Sequence, residues 1–277
     1  MKNKLFTATY AAWIFIFIVL PLALIVFYAF TASEGDIIRF TMENFKKFFT
    51  EDVYLKSLLR SIYLALISTI ICLLMGYPMA MILANLKPRV QSFCVTLFVL
   101  PMWMNFLMRT YAWLTILENN GLINTLLVKL GFDKLELLYN QGAVVLGMVY
   151  NFLPFMVFPI YSSLTKTDRS LIEAAQDLGA NKFKVFCKVT FPLSLPGIAS
   201  GISMVFMPAV TTFVISRLMG GGHTSLIGDI IEQQFLYAND WNFASAISVV
   251  VMVILLASMA IVPKGKAEET DGGGGLW

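Results

Sequence analysis

The residues best placed to perform a task lie in a charged segment, residues 166–191, that separates two long apolar runs. Ser170 and Glu173 have the Ser-x-x-Glu spacing of a capping box, which lets a helix start without outside partners. Gly179 can adopt the left-handed conformation that ends such a helix, and Asn181 can cap a second one. The spacing predicts two short helices joined at a rigid glycine corner. Such a structure suits docking onto another protein; an amphipathic helix lying at the membrane interface is the alternative.

The sequence offers little material for enzyme chemistry. The P-loop pattern Gly-x-x-x-x-Gly-Lys-Ser/Thr, whose backbone cradles phosphates, does not occur. His223 is the only histidine, and Cys72, Cys94 and Cys187 are widely spaced, so neither a metal site nor a disulfide is expected. We expect a chain that is not an enzyme and holds no cofactor of its own. Any energy-requiring work would need a separate ATPase.

Polar side chains inside the apolar runs are the second group of candidates. Arg109 stands within an apolar run, where a charge is costly and usually functional. The alternative is a position near the outer interface, from which its head group reaches water. Asn105 and Arg109 can share one helix face. The aromatic residues Trp103 and Tyr111 beside them suit an interfacial belt or contacts to a ligand.

The candidate residues for a ligand pathway are polar or aromatic and lie in or near the apolar runs. They are Trp103, Asn105, Arg109, Tyr111, Asn151 and Asp229. Acidic groups together with aromatic rings suit an organic polycation, because carboxylates pair with ammonium groups and each ring face adds about 0.5–2 kcal/mol of cation–π attraction. Composition alone does not identify such a ligand.

The elements that would position these residues are membrane-spanning helices. The chain is 58% hydrophobic and 13% charged, whereas a soluble domain is about 25% charged. Apolar runs long enough to cross a bilayer occur about six times, at residues 10–30, 58–86, 93–117, 142–164, 193–216 and 243–262. We therefore expect an all-α membrane protein with six transmembrane helices. The first run is longer than a typical signal-peptide core and is interpreted as a retained signal anchor.

The distribution of Lys and Arg predicts the orientation. A cytoplasmic N-terminus places the basic segments 87–89, 166–169 and 182–188 inside and most acidic residues outside, so segment 166–191 faces the cytoplasm. We expect residues 1–263 to form the transmembrane domain and residues 264–277 a flexible cytoplasmic tail. Outside, residues 40–55 predict a helix lying flat on the surface, and Gly121 starts a turn followed by a helix. Residues 220–222, all glycine, predict a hinge or a close approach.

The spacing of the charged segment also resembles a known signature. Glu173-Ala174-Ala175, Gly179, Val189, Phe191 and Pro192 resemble the cytoplasmic loop of ATP-binding-cassette (ABC) importer permeases, with Val189 and Phe191 in place of the usual Ile and Leu. In that family the loop inserts into a cleft of a cytoplasmic ATPase and transmits its motion. The resemblance implies the following coupling residues: Glu173, Ala174, Ala175, Leu178, Gly179, Phe183 and Pro192.

Longer stretches, at residues 100–111, 147–156, 173–180 and 218–241, resemble permeases of spermidine/putrescine importers. The resemblance implies a type I importer fold in a bacterial inner membrane. It also implies a second related permease, two ATPase subunits that bind ATP and Mg, and an extracytoplasmic polyamine-binding protein as partners.

Two alternatives remain. A permease of the same family could carry another organic ion or an anion, with Arg109 as a ligand. A secondary transporter or channel would predict inverted repeats or paired intramembrane acids, which the sequence does not display. The preferred polyamine and the pairing of this chain with itself or with a paralogue are left open.

Overall fold

The computed structural model describes residues 9–34, 37–222 and 224–261. In chain order its elements are α1 (Thr9–Ala29), β1 (Thr31–Glu34), β2 (Ile37–Phe40), α2 (Glu43–Thr50), α3 (Asp52–Ala84), α4 (Pro88–Trp103), α5 (Phe106–Leu117), α6 (Leu122–Lys129), α7 (Gln141–Lys166), α8 (Arg169–Asp177), α9 (Lys182–Thr211), α10 (Val214–Gly220), α11 (Ile227–Leu236) and α12 (Trp241–Ile261). The expected tail and His223 lie outside the described residues. Contacts group the chain into two compact units, residues up to 60 with 225–257, and residues 61–224 with those from 258 onward.

Five of these helices are long and apolar enough to cross a membrane on their own: α1, α3, α7, α9 and α12. The run expected at residues 93–117 is not one straight span. Met104 and Asn105 have extended backbones, and the helical direction changes by 91° between α4 and the segment that starts at Phe106. This bent pair brings the number of spans to six if it crosses the membrane once.

The fifth span differs from the expectation at both ends. It begins at Lys182 and ends at Thr211, and Thr212 and Phe213 separate it from α10. The second short helix expected after Gly179 is therefore not separate but continuous with the span. The junction contains a five-residue π-turn, Phe186–Thr190, closed by the bond from Phe191 N to Phe186 O. Pro192 has no N–H to bond the carbonyl four residues earlier, so a regular helix cannot be complete there.

The first unit contains a hairpin that the sequence did not predict. β1 and β2 pair antiparallel, with Thr31 opposite Phe40. Asn44 of α2 and Asn242 of α12 both donate through Nδ2 to the Thr31 carbonyl, at 3.0 and 2.7 Å. These bonds satisfy a backbone group that has no strand partner. Of the helix expected on residues 40–55, a shorter one is confirmed as α2, because residue 40 belongs to β2 and residues 52–55 belong to α3. Lys47 Nζ of α2 lies 4.1 Å from the ring centre of Phe243.

The second unit is built around α7 and α9. Small residues of α9 let the two backbones approach closely. A Cβ at Gly201 would lie 2.7 Å from the Met156 sulfur, and one at Gly197 would lie 2.6 Å from the Pro159 carbonyl oxygen. Of the two interpretations of residues 220–222, the close approach is correct for Gly221, whose φ is +58° and where an added Cβ would clash with the Tyr139 ring. The turn and helix expected from Gly121 onward are confirmed as α6.

Candidate functional site

The elbow segment, residues 168–185, is the first candidate site, and it starts with a cap that the sequence did not predict. Asp168 is the N-cap of α8, and its Oδ1 accepts a hydrogen bond from Ser170 N at 2.9 Å. The expected capping box of Ser170 and Glu173 is wrong, because the helix begins before Ser170. The backbone N–H donated by Ser170 lowers the pKa of Asp168 below its usual range. Its carboxylate therefore stays ionised at a helix N-terminus, where negative charge is favoured.

The end of α8 is the predicted glycine corner. Gly179 has a φ of +79°; its N–H bonds Gln176 O at 2.8 Å, and Ala180 N bonds Ala175 O at 3.1 Å. These two bonds form a Schellman motif, which satisfies the last helical carbonyls. Asn181 then caps α9 as predicted, since its Oδ1 accepts from Lys184 N at 2.8 Å. The elbow segment is therefore held in shape by hydrogen bonds within the segment, both between backbone groups and from the side-chain caps Asp168 and Asn181.

The elbow segment presents large apolar side chains on a polar surface. Leu178 is 89% exposed and Phe183 is 73% exposed. Glu173, Ala174 and Pro192 are exposed as well, and Ala175 is half-buried. Exposed apolar side chains on an ordered polar segment are typical of a surface that binds another protein. The geometry can thus dock into a cleft, with the small Ala174 permitting close contact.

The candidate pathway residues near the bend have separate roles in the structure. Trp103 ends α4 and is 86% exposed, and Tyr111 is 51% exposed. Asn105 is the N-cap of α5, and its Oδ1 accepts from Leu107 N at 2.9 Å. Asn105 thus serves the backbone of the helix start instead of sharing a helix face with Arg109.

Arg109 and Asn151 each place a polar atom in the interior of the second unit. Nε of Arg109 and Oδ1 of Asn151 are buried, and neither has a hydrogen-bond partner among the described residues. Asn151 is 2% exposed and donates through Nδ2 to Gly147 O at 2.9 Å. The rings of Trp113 and Tyr150, 5.3 Å apart, join the helices that carry them, α5 and α7. Because buried polar atoms are normally paired, these two are candidates for contact with a ligand or water.

Asp229 belongs to the first unit. It lies in the first turn of α11, and its Oδ2 accepts from Leu226 N at 2.8 Å, so it caps that helix. The structure thus brings Arg109 and Asn151 onto contacting helices, whereas Asn105 and Asp229 act as caps. Sequence reasoning missed Tyr77 and Ser194, which lie next to the elbow segment. Their signal is weak, because a lone Tyr or Ser in an apolar run is common.

The described residues form several apolar spans and, between two of them, an ordered polar segment. The chain belongs to the family of binding-protein-dependent transport system inner membrane components, whose family model matches residues 76–263. It is therefore a multi-pass inner-membrane permease. This membership contradicts the alternative of a secondary transporter or channel.

The relatives share most of the chain. The "Spermidine/putrescine transport system permease protein PotB" of Escherichia coli (strain K12) is 38% identical over 252 residues, which cover 89% of this chain and 91% of the relative. The protein of the same name from Haemophilus influenzae is 36% identical over 258 residues, covering 91% and 90%. The "Inner membrane ABC transporter permease protein YdcU" of Escherichia coli (strain K12) is 27% identical over 239 residues, covering 81% and 75%.

Solved structures support the fold. A chain of "a bacterial ABC transporter involved in the import of the acidic polysaccharide alginate" superposes with a TM-score of 0.78 at 18% identity, covering 94% of this chain and 96% of that chain. A chain of "the MetNI methionine ABC transporter" gives a TM-score of 0.53 at 19% identity, covering 75% and 94%. At such identities the likeness concerns the fold alone. The expected type I importer permease fold is confirmed.

Proposed function

We propose that this permease imports polyamines such as spermidine and putrescine. The observation that carries the proposal is the 38% identity, over 89% of the chain, with a permease named for spermidine and putrescine transport. The proposed partners are a second related permease, two ATPase subunits and an extracytoplasmic polyamine-binding protein. ATP and Mg would be bound by the ATPase subunits, because this sequence lacks a P-loop pattern.

The elbow segment is the proposed contact with the ATPase. Its rigid corner and the exposed side chains of Leu178 and Phe183 support this role. Docking would remove both apolar side chains from water, which is favourable and would stabilise the contact. The contact requires a cytoplasmic elbow segment and thus a cytoplasmic N-terminus, as the distribution of Lys and Arg predicts. The coupling residues are Glu173, Ala174, Ala175, Leu178, Gly179, Phe183 and Pro192, within a permease domain of residues 1–263.

The proposed substrate pathway contains Trp103, Asn105, Arg109, Tyr111, Asn151 and Asp229. Asn151 has the strongest support, because Oδ1 is a buried hydrogen-bond acceptor without a partner in the described part of the chain. An ammonium group has only donors and would satisfy this oxygen. The aromatic rings of Trp103 and Tyr111 are exposed and free to contact methylene groups or charges of the substrate.

An anion is the second candidate substrate, and one observation favours it. Nε of Arg109 is a buried donor that lacks a partner among the residues described. A carboxylate or phosphonate would pair with the guanidinium, whereas a polycation would be repelled by it.

Uptake competition separates the two candidates. Cells that depend on this importer are given labelled spermidine together with an excess of unlabelled putrescine, a dicarboxylate or a phosphonate. We expect putrescine to reduce the uptake of label and the two anions to leave it unchanged. Competition by an anion, or no uptake of label above that of cells lacking the permease, would contradict the polyamine assignment.

A further inference from the structure

Three aromatic side chains meet at the root of the elbow segment, where it continues into the fifth span. The ring of Tyr77, from α3, lies 5.8 Å from the ring of Phe186 and 5.9 Å from that of Phe191. Phe186 and Phe191 are themselves 6.1 Å apart. Phe186 is the first residue of the π-turn, and Phe191 is the residue after it. The α3 helix thus contacts both ends of the π-turn through a single side chain.

Two hydrogen bonds also connect Tyr77, through Ser194, to the backbone of α9. The hydroxyl oxygens of Tyr77 and Ser194 are 3.0 Å apart, and Ser194 Oγ donates to Phe191 O at 2.8 Å. Because a serine hydroxyl has one proton, and Ser194 gives it to the Phe191 carbonyl, Tyr77 is the donor to Ser194. Tyr77 is 7% exposed and Ser194 is fully buried. The phenol is therefore linked to the backbone of the first helical turn beyond the π-turn.

The π-turn is the segment in which the backbone hydrogen bonds of α9 can change. π-turns are rare and occur frequently at functional sites. A turn with i to i+5 bonds can convert to one with i to i+4 bonds by a shift of one residue. Such a shift would rotate the helix before it relative to the helix after it. The elbow segment lies before the π-turn, and Phe191, held through Ser194 and Tyr77, lies after it.

We propose that Tyr77 is a positioning residue for energy coupling. It holds α9 at Phe191 while the π-turn lets the elbow segment change its angle, so that movement of the elbow segment reaches α3 and α9 together. The inference rests on the proposed docking of the elbow segment to an ATPase. Without the Tyr77 hydroxyl, the elbow segment still docks and moves, but less of its movement is passed to the spans.

The test uses the complete importer in proteoliposomes with its binding protein. Uptake of labelled spermidine and hydrolysis of ATP are measured for Tyr77→Phe, Ser194→Ala and the double variant. We expect each single variant to lower the number of molecules imported per ATP by roughly five- to tenfold, since Tyr77→Phe removes one hydrogen bond of the link and Ser194→Ala removes both. The double variant should be no worse than Ser194→Ala, because that change alone already removes the whole link from Tyr77 to the Phe191 carbonyl.

Tyr63→Phe is the matched control, because Tyr63 lies on the same helix but is 58% exposed. It should leave import per ATP unchanged. A purely structural role of Tyr77 would lower thermal stability, uptake and hydrolysis together and leave their ratio intact. An unchanged ratio in an intact complex, or additive effects of the two substitutions, would overturn the role of Tyr77 alone. Failure of the wild-type chain to co-purify with ATPase subunits would instead contradict the proposed docking.

Discussion

Two buried asparagines in the second unit show how differently one residue type is used. Asn124 is fully buried; its Nδ2 donates to Leu135 O at 3.0 Å and its Oδ1 accepts from Leu135 N at 2.9 Å. Asn151 is buried as deeply, but only its Nδ2 has a partner in the described structure. A satisfied amide stabilises a loop, whereas an unsatisfied acceptor costs free energy that the fold must recover elsewhere. The contrast indicates a structural role for Asn124 and supports the proposed place of Asn151 in the substrate pathway.

Replacement by leucine tests this contrast. We expect Asn124→Leu to lower the free energy of unfolding by about 1–3 kcal/mol, because it leaves buried backbone groups without partners. Asn151→Leu should lower stability less, because the lost bond from Nδ2 to Gly147 O is offset by removal of an acceptor that was already unpaired. The same change should reduce spermidine uptake several-fold. Thermal denaturation in detergent and transport kinetics measure the two effects.

The assignment of Asn151 to the pathway would be contradicted by normal uptake in Asn151→Leu. A large loss of stability in that variant would point to a structural role instead.

At the scale of the elements, the glycine corner of the elbow segment occurs a second time. Gly131 has a φ of +86°; its N–H bonds Val128 O at 3.1 Å, and Phe132 N bonds Leu127 O at 2.9 Å. This is the bonding of the Gly179 corner, placed at the end of α6. At both positions an added Cβ would meet nothing within 4 Å. Gly131 is therefore a matched control for Gly179, because the two corners have the same backbone hydrogen bonds and the same open space around the glycine.

Gly179→Pro and Gly131→Pro should strain the two corners alike, because proline cannot adopt a positive φ. We expect both variants to insert and to fold. Only Gly179→Pro should abolish the stimulation of ATP hydrolysis by the loaded binding protein. The measurement is ATPase activity of the assembled importer with and without that protein.

A second pair of variants leaves the backbone intact. Leu178 and Leu130 each precede the glycine of their corner and are 89% and 72% exposed. Leu178→Ser should weaken co-purification of the ATPase, whereas Leu130→Ser should not. Equal behaviour of the two members in both pairs would contradict a coupling role for the elbow segment.

The elements were predictable from sequence where local signals decide them, and less so where tertiary contacts do. Apolar run length located the spans, and Gly179 and Asn181 marked the corner, because glycine and asparagine act through their own backbone. The bend at Met104 and Asn105 was missed, since a run of apolar residues with one proline is compatible with a straight or a broken helix. The Thr31 hairpin was missed because the Thr31 carbonyl is bonded by side chains outside the hairpin, Asn44 and, 211 residues further along the chain, Asn242.

In the candidate site, too, local signals were readable from the sequence and long-range contacts were not. Asp168 precedes the helix that it caps, but the Ser170 and Glu173 spacing offered a competing start. The link between Tyr77 and Ser194 joins residues 117 positions apart, which a single sequence does not reveal.

At the scale of the whole molecule, the orientation can be tested with a native thiol. Cys187 is exposed and lies at the root of the elbow segment, whereas Cys72 is buried. A chain that keeps Cys187 as its only cysteine should react with a membrane-impermeant maleimide in inverted vesicles and not in intact spheroplasts. In a cysteine-free chain, Leu130→Cys should show the opposite pattern. Labelling of Cys187 from the outside would place the elbow segment away from any cytoplasmic ATPase.

The two asparagines that bond the Thr31 carbonyl bear on how the chain is made. Asn242 is 211 residues after Thr31, so during synthesis the hairpin lacks its second hydrogen-bond partner until α12 has left the ribosome. A truncated chain that lacks α12 would also lack the hydrogen bond from Asn242 to the Thr31 carbonyl. Completion of the first unit thus requires that translation has reached α12, although the hairpin itself lies near the start of the chain.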